Sequence, residues 1–158
     1  MKPQKSKMTG KYLFMLKYTN NKYLVLLLLQ PTTKIMFSKS NAFSSFSVDD
    51  IEKARNFYSE VLGLEIDAPM DMLAIKTSGN NDIFIYAKPN HEPATFTVLN
   101  FPVDDINKAV DELTAKGVTF EQYHNEYINT DEKGIAHGEP RLAWFKDPAG
   151  NILSVIQE

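Results

Sequence analysis

Nine residues constrain this chain more than any others, because they occur almost twice. Residues 46–54 read FSVDDIEKA and residues 101–109 read FPVDDINKA; seven of nine letters agree, at an offset of 55. Each copy passes from alternating apolar residues through an acidic pair into an apolar pattern of helical spacing. That is the signature of a strand feeding a capped helix. Asp49 or Asp50, and Asp104 or Asp105, can accept from the orphan N–H groups of the first turn, and their charge suits the positive end of the helix dipole. The first helix is expected over about 51–62, with Ile51, Ala54, Phe57 or Tyr58, and Val61 inward. The second is expected over 106–116, with Ile106, Ala109, Val110 and Leu113 inward. Gly63 and Gly117 stop them.

The segment after each glycine repeats as well. LEID, MLAIKT and DIFIYA read as three strands, with turn chemistry in SGNND; VTFEQY, RLAWFK and ILSVIQ read as three more. A long loop over about 123–140 separates VTFEQY from RLAWFK, and DPAGN at 147–151 makes a tight turn. Each half is therefore βαβββ, with modules at 42–90 and 94–157 inside a domain over 36–158. One half cannot bury both faces of its sheet, so two halves are expected to pair as an α+β fold, a curved mixed-sheet cup with flanking helices.

Composition narrows the function. The chain has no cysteine, which removes disulfides, thiolate metal sites and a cysteine nucleophile, and it has only three histidines, His91, His124 and His137. Residues 1–35 hold seven lysines and no acid, while residues 36–158 carry a net charge of −10. So acidic a body repels phosphate backbones, and no nucleic-acid partner is expected. The first 35 residues are basic and then apolar at YLVLLLL, too short for a stable membrane span. Three readings stay open for them: upstream sequence before a start at Met36, a weak export signal, or a surface-binding tail. The expected location is cytoplasmic, with export through residues 1–35 as the alternative.

The stretches VDDIEKARNFYSEVLGLE, VDDINKAVDELTAKGV and AWFKDPAGNILSVIQ together resemble the vicinal oxygen chelate superfamily, the glyoxalase, bleomycin-resistance and extradiol-dioxygenase group. The resemblance covers roughly 42–157. It implies a divalent metal held in the cup by one residue from the first and last strand of each module. In this chain those four positions fall on Phe43, Phe84, Val98 and Ser154. An ion needs imidazole or carboxylate donors at about 2 Å; two phenylalanines and a valine have none, and a lone serine hydroxyl is a poor ligand. Shifting each position by one residue recovers no better donor. No metal and no cofactor are expected.

Strand alternation then gives the cup its lining. Phe43, Ser45 and Ser47 share a face, as do Asp82, Phe84 and Tyr86, then Phe96, Val98 and Asn100, then Ile152, Ser154 and Ile156. Phe43, Ser45, Phe84, Tyr86, Val98, Asn100 and Ser154 are the candidate ligand-binding residues, a mixture suited to an organic ligand or equally to plain core packing. Tyr86 can donate a proton, Asp82 can act as a base if desolvated, and His124 or His137 can supply a base from a loop that also holds Asp131, Glu132 and Glu139. Trp144 reads as core or interface. Three functions compete: a metal-free protein binding a small aromatic or amphipathic molecule, as bleomycin-resistance relatives do; a glyoxalase-like lyase or isomerase working by proton transfer without the usual metal site; and a ligand-free scaffold for protein association. The resemblance also implies a homodimer.

Overall fold

The computed structural model describes residues 6–8, 11–18, 22–28, 40–79 and 81–158. They fall into two compact units, Met1–Ser40 and Asn41–Glu158. In the first, β1 (Ser6–Met8), β2 (Lys11–Tyr18) and β3 (Lys22–Leu28) form an antiparallel meander in that order. Most of the apolar run of the sequence thus lies in β3, paired from Leu28 opposite Tyr12 to Lys22 opposite Tyr18. Among the described residues no helix is long and apolar enough to cross a membrane.

The second unit is the duplicated α+β fold. β4 (Ser44–Val48), α1 (Ile51–Asn56), β5 (Ile66–Asp67), β6 (Met72–Ile75) and β7 (Ile83–Ala87) make the first module. β8 (Thr97–Pro102), α2 (Ile106–Ala115), β9 (Ile135–Ala136), β10 (Arg141–Lys146) and β11 (Ile152–Gln157) make the second. The sheets run β4-β7-β6-β5 and β8-β11-β10-β9, so the modules share one strand order. Each first strand pairs parallel to the last strand of its module and every other pairing is antiparallel, which makes both sheets mixed.

The second aspartate of each pair is the cap. Asp50 Oδ1 accepts from the N–H groups of Glu52 and Lys53 at 3.1 Å, and Asp105 Oδ1 from those of Asn107 and Lys108 at 2.9 and 3.2 Å. Gly63 and Gly117 end the helices at φ +73° and +90°, where a side chain would be strained. The helix-side residues Val48, Ile85, Leu73 and Tyr58 of one module join Val110, Phe145, Leu153 and Val155 of the other in a single buried cluster. Each such side chain contributes about 1.5–3 kcal/mol on leaving water.

Three expectations need correcting. The first helix does not stay regular to its end: over Phe57–Val61 it widens, and the Leu62 N–H reaches back five residues to the Phe57 carbonyl at 3.0 Å. In a regular helix consecutive side chains diverge by about 100°. The wider turn lets neighbouring Phe57 and Tyr58 both face inward, stacked edge to face at 5.3 Å, so neither excludes the other. Second, residues 118–123 do not form the second strand of their module. Phe120 makes one bridge to Phe145 and the Glu121 N–H reaches the Trp144 carbonyl at 2.7 Å, while β9, from inside the stretch expected to be loop, pairs with β10 at Leu142 and Ala143. Gly134 sits so close to Phe120 that an added Cβ would stand 2.8 Å from the Phe120 Cβ. Third, strict alternation breaks in β8. Ile152 pairs with Thr97 but Leu153 with Leu99, so Val98 is an extra residue and Thr97 shares the inner face. Thr97 Oγ1 accepts from Trp144 Nε1 at 3.2 Å, and Trp144 stands opposite inner-face Ser154.

Candidate functional site

The two modules are tied by a buried polar clasp made from the turn at 147–151. Asp147 Oδ1 accepts from the N–H groups of Ala149 and Asn151 at 3.0 and 2.8 Å. Its Oδ2 accepts from the Tyr58 hydroxyl at 2.8 Å and the Asn151 amide at 2.9 Å. Burial, with the Asp147 charge beside it, pushes the Tyr58 phenol far above its ordinary range. Asn151 also donates to the Ser47 carbonyl at 3.0 Å, and His91 spans from Ser47 Oγ (Nδ1, 2.9 Å) to the Ala149 carbonyl (Nε2, 3.1 Å). Sequence reading missed His91, because nothing local marks it; only the fold brings the linker, β4 and the turn together.

Beside this clasp opens a cleft of about 440 Å³, where edge strands β4 and β8 face one another. Ser45, Tyr86 and Val98 line it, together with Ser47, Thr97, Phe96, Glu92 and Asn151. Phe96 is 68% exposed and Tyr86 39%, so the walls are accessible. The other sequence candidates sit elsewhere. Phe43 is 64% exposed and meets Phe84 edge to face at 5.0 Å, outside the cleft lining. Ser154 is wholly buried and donates to the Asn100 side chain at 2.6 Å.

The candidate acid–base groups are not brought together. Asp82 is ion-paired with Lys76 at 2.8 Å, and Lys76 also holds Asp67 at 2.9 Å. Hydrogen bonds to Asp82 and then Asp67 push the Lys76 ammonium above its ordinary value, so Asp82 stands against a persistent cation. His124 lines a separate hollow of about 760 Å³ and bonds Asn129 at 2.9 Å. His137, not His124, meets a carboxylate: its Nε2 lies 2.7 Å from Asp131 Oδ2, at the wall of a hollow of about 610 Å³ under Tyr127 and Trp144. A smaller hollow of about 220 Å³ between Leu62, Leu64, Phe101 and Leu113 is mostly apolar and lies on the helix side of the sheets.

The four positions at which the resemblance places a metal do not fit one. Phe43, Phe84 and Val98 carry no donor atom, and the Ser154 hydroxyl is spent on Asn100. Among the described residues no three His, Asp or Glu side chains cluster as ligands would.

A sequence model described as the Glyoxalase/Bleomycin resistance protein/Dioxygenase superfamily matches residues 42–155, which is the duplicated unit almost end to end. The chain belongs to this superfamily. Solved structures agree on the superfamily fold. One from Sphaerobacter thermophilus, described as a member of the superfamily, is 25% identical, with a TM-score of 0.53, covering 74% of this chain and 97% of that one. TnmS3, an antibiotic binding protein from a Streptomyces species, is 24% identical at a TM-score of 0.52, covering 73% and 94%. The fosfomycin resistance protein FosX of Listeria monocytogenes is 15% identical at a TM-score of 0.56, covering 74% and 91%. No curated protein matches the chain.

Proposed function

We propose that this superfamily member binds a small organic molecule in the cleft between β4 and β8, without a metal at the usual four positions. One observation carries the reading. The cleft is of small-molecule size, about 440 Å³, and mixes an exposed aromatic wall at Phe96 with the hydroxyls of Ser45, Ser47 and Tyr86. Organic-ligand sites pair apolar surface with placed polar groups, and in this cleft the polar surface is the larger share. The fold shared with an antibiotic binding protein is in keeping with it. Proton-transfer catalysis finds less support, because Tyr86, Asp82 and His124 stand apart and Asp82 keeps its cation.

The test is a thermal-shift panel of aromatic alcohols and amines against the native chain and a Ser45→Trp variant. Ser45 is exposed on β4, so the indole fills the cleft without disturbing the core. A ligand at a hundred times its Kd stabilises by about 2.7 kcal/mol. A rise in melting temperature is expected in the native chain and none in the variant. Equal shifts in both, or no shift from any compound, would remove the reading.

A further inference from the structure

We infer that the cleft selects a protonated aromatic amine; this deepens the organic-ligand reading and rests on it. His91 sets the polarity of the cleft floor. Its Nε2 lies 3.1 Å from the Ala149 carbonyl oxygen, which can only accept, so in the neutral ring the proton sits on Nε2. Nδ1 is then bare and must accept from the Ser47 hydroxyl 2.9 Å away. The Ser47 proton is therefore turned toward the imidazole, and Ser47 presents oxygen lone pairs to the cleft.

Asn151 arrives at the same result by another route. Both hydrogens of its amide are spent, on the Ser47 carbonyl at 3.0 Å and on Asp147 Oδ2 at 2.9 Å. Only its carbonyl oxygen is left to offer. Glu92 is the one charged side chain among the described residues lining the cleft, and it makes no ion pair with any of them. Two polarised acceptors and a carboxylate thus face a space whose described lining holds no lysine or arginine. Thr97, whose oxygen accepts from Trp144, still has its proton to give, and Tyr86 and Ser45 can turn either way. Those groups accommodate a ligand; they do not reverse the bias. An ammonium supplies three donors and a charge, and Phe96 beside it offers an aromatic face to stack on the ligand ring or lie over the cation.

Tryptamine, tryptophol and indole-3-acetate make the test, since they share a ring and differ in carrying a cation, a neutral hydroxyl or an anion. Their affinities are measured by calorimetry on the full chain and on Glu92→Gln and Ser47→Ala variants. Tryptamine is expected to bind at least about tenfold tighter than tryptophol, because a charge-assisted hydrogen bond is about twice as strong as a neutral one. Each variant should cut that preference at least about threefold. Equal binding of tryptamine and tryptophol overturns the amine selectivity and leaves the organic-ligand reading in place. A preference unchanged in both variants also overturns it, because the attraction then comes from the acidity of the whole body. Silence from all three probes removes both readings.

Discussion

The two modules share one strand order and one capped helix, yet they treat their inner faces in opposite ways. In the first, Phe43 just before β4 and Tyr86 on β7 are exposed. In the second, several inner-face groups are matched to one another, although Phe96, just before β8, is 68% exposed. Ser154 is buried against Asn100, Trp144 donates to Thr97, and Tyr123 from the long connection meets Trp144 edge to face at 5.5 Å. Burial pushes the Tyr123 phenol above its usual value. Duplication sets where an inner face lies. The side chains then decide whether that face is open to a partner or closed by the chain itself.

If the modules are one cooperative unit despite this difference, the clasp that joins them should be the costliest place to cut. Asp147→Ala leaves four donors, from Tyr58, Ala149 and the two groups of Asn151, without their acceptor. Each unsatisfied buried group costs about 1–3 kcal/mol, and partial relaxation brings the expected loss to about 3–5 kcal/mol. Denaturant unfolding followed separately by Trp144 fluorescence and by far-ultraviolet dichroism should still show coincident transitions. Separated transitions in the native chain would break the single unit, and a loss below about 1 kcal/mol in the variant would show that the clasp does not unite the modules.

The duplicated plan was legible because it is written in local rules: an aspartate at each cap, a glycine at each stop, and alternation in β10. The lack of donor atoms at Phe43, Phe84 and Val98 was equally plain, since side-chain chemistry needs no coordinates. The features that escaped are non-local. Residues 118–123 have a strand-like pattern, but they meet β10 only at Phe120 and Glu121, and β9, packed close through Gly134, takes the neighbouring part of that edge. The extra residue at Val98 leaves no mark on composition, yet it turns Thr97 to the inner face. His91 looks like any linker histidine until the turn at 147–151 closes around it.

A glycine in each module sharpens the comparison at an intermediate size. Gly63 and Gly134 both hold positive φ, +73° and +83°, so alanine strains either backbone. At Gly63 nothing lies within 4 Å of an added Cβ, whereas at Gly134 the Phe120 Cβ lies at 2.8 Å and the Glu121 carbonyl oxygen at 3.0 Å. Gly63→Ala should cost about 1 kcal/mol, the conformational penalty alone. Gly134→Ala adds a clash with backbone that cannot step aside, for about 2–3 kcal/mol. Chemical denaturation of the two variants checks the ordering. Equal losses would mean that the tight seat of β9 is not what holds the second module's connection.

The smallest effect concerns acid. Asp131 holds that same connection, accepting from the N–H groups of Lys133 and Ile135 at 2.9 Å and from the His137 ring at 2.7 Å. Burial pushes its carboxyl upward, but the bonds from Ile135, His137 and Lys133 outweigh it and hold the group below the ordinary carboxylate value. A folded-state pKa that is depressed favours the charged form. Its contribution is therefore complete above the unfolded value of about 3.9 and fades as pH falls through the lower folded one. Protection of the Lys133 and Ile135 amides, taken relative to the intrinsic exchange rate at each pH, should fall in that acid window, while Leu73 and Ile85, in the apolar first-module ladder, keep theirs. Asp131→Asn retains an oxygen for the amides but cannot titrate, so its profile at these two residues should be flat. If the variant shows the same acid step as the native chain, the step belongs to another group and Asp131 is not the acid-sensitive tie of the second module.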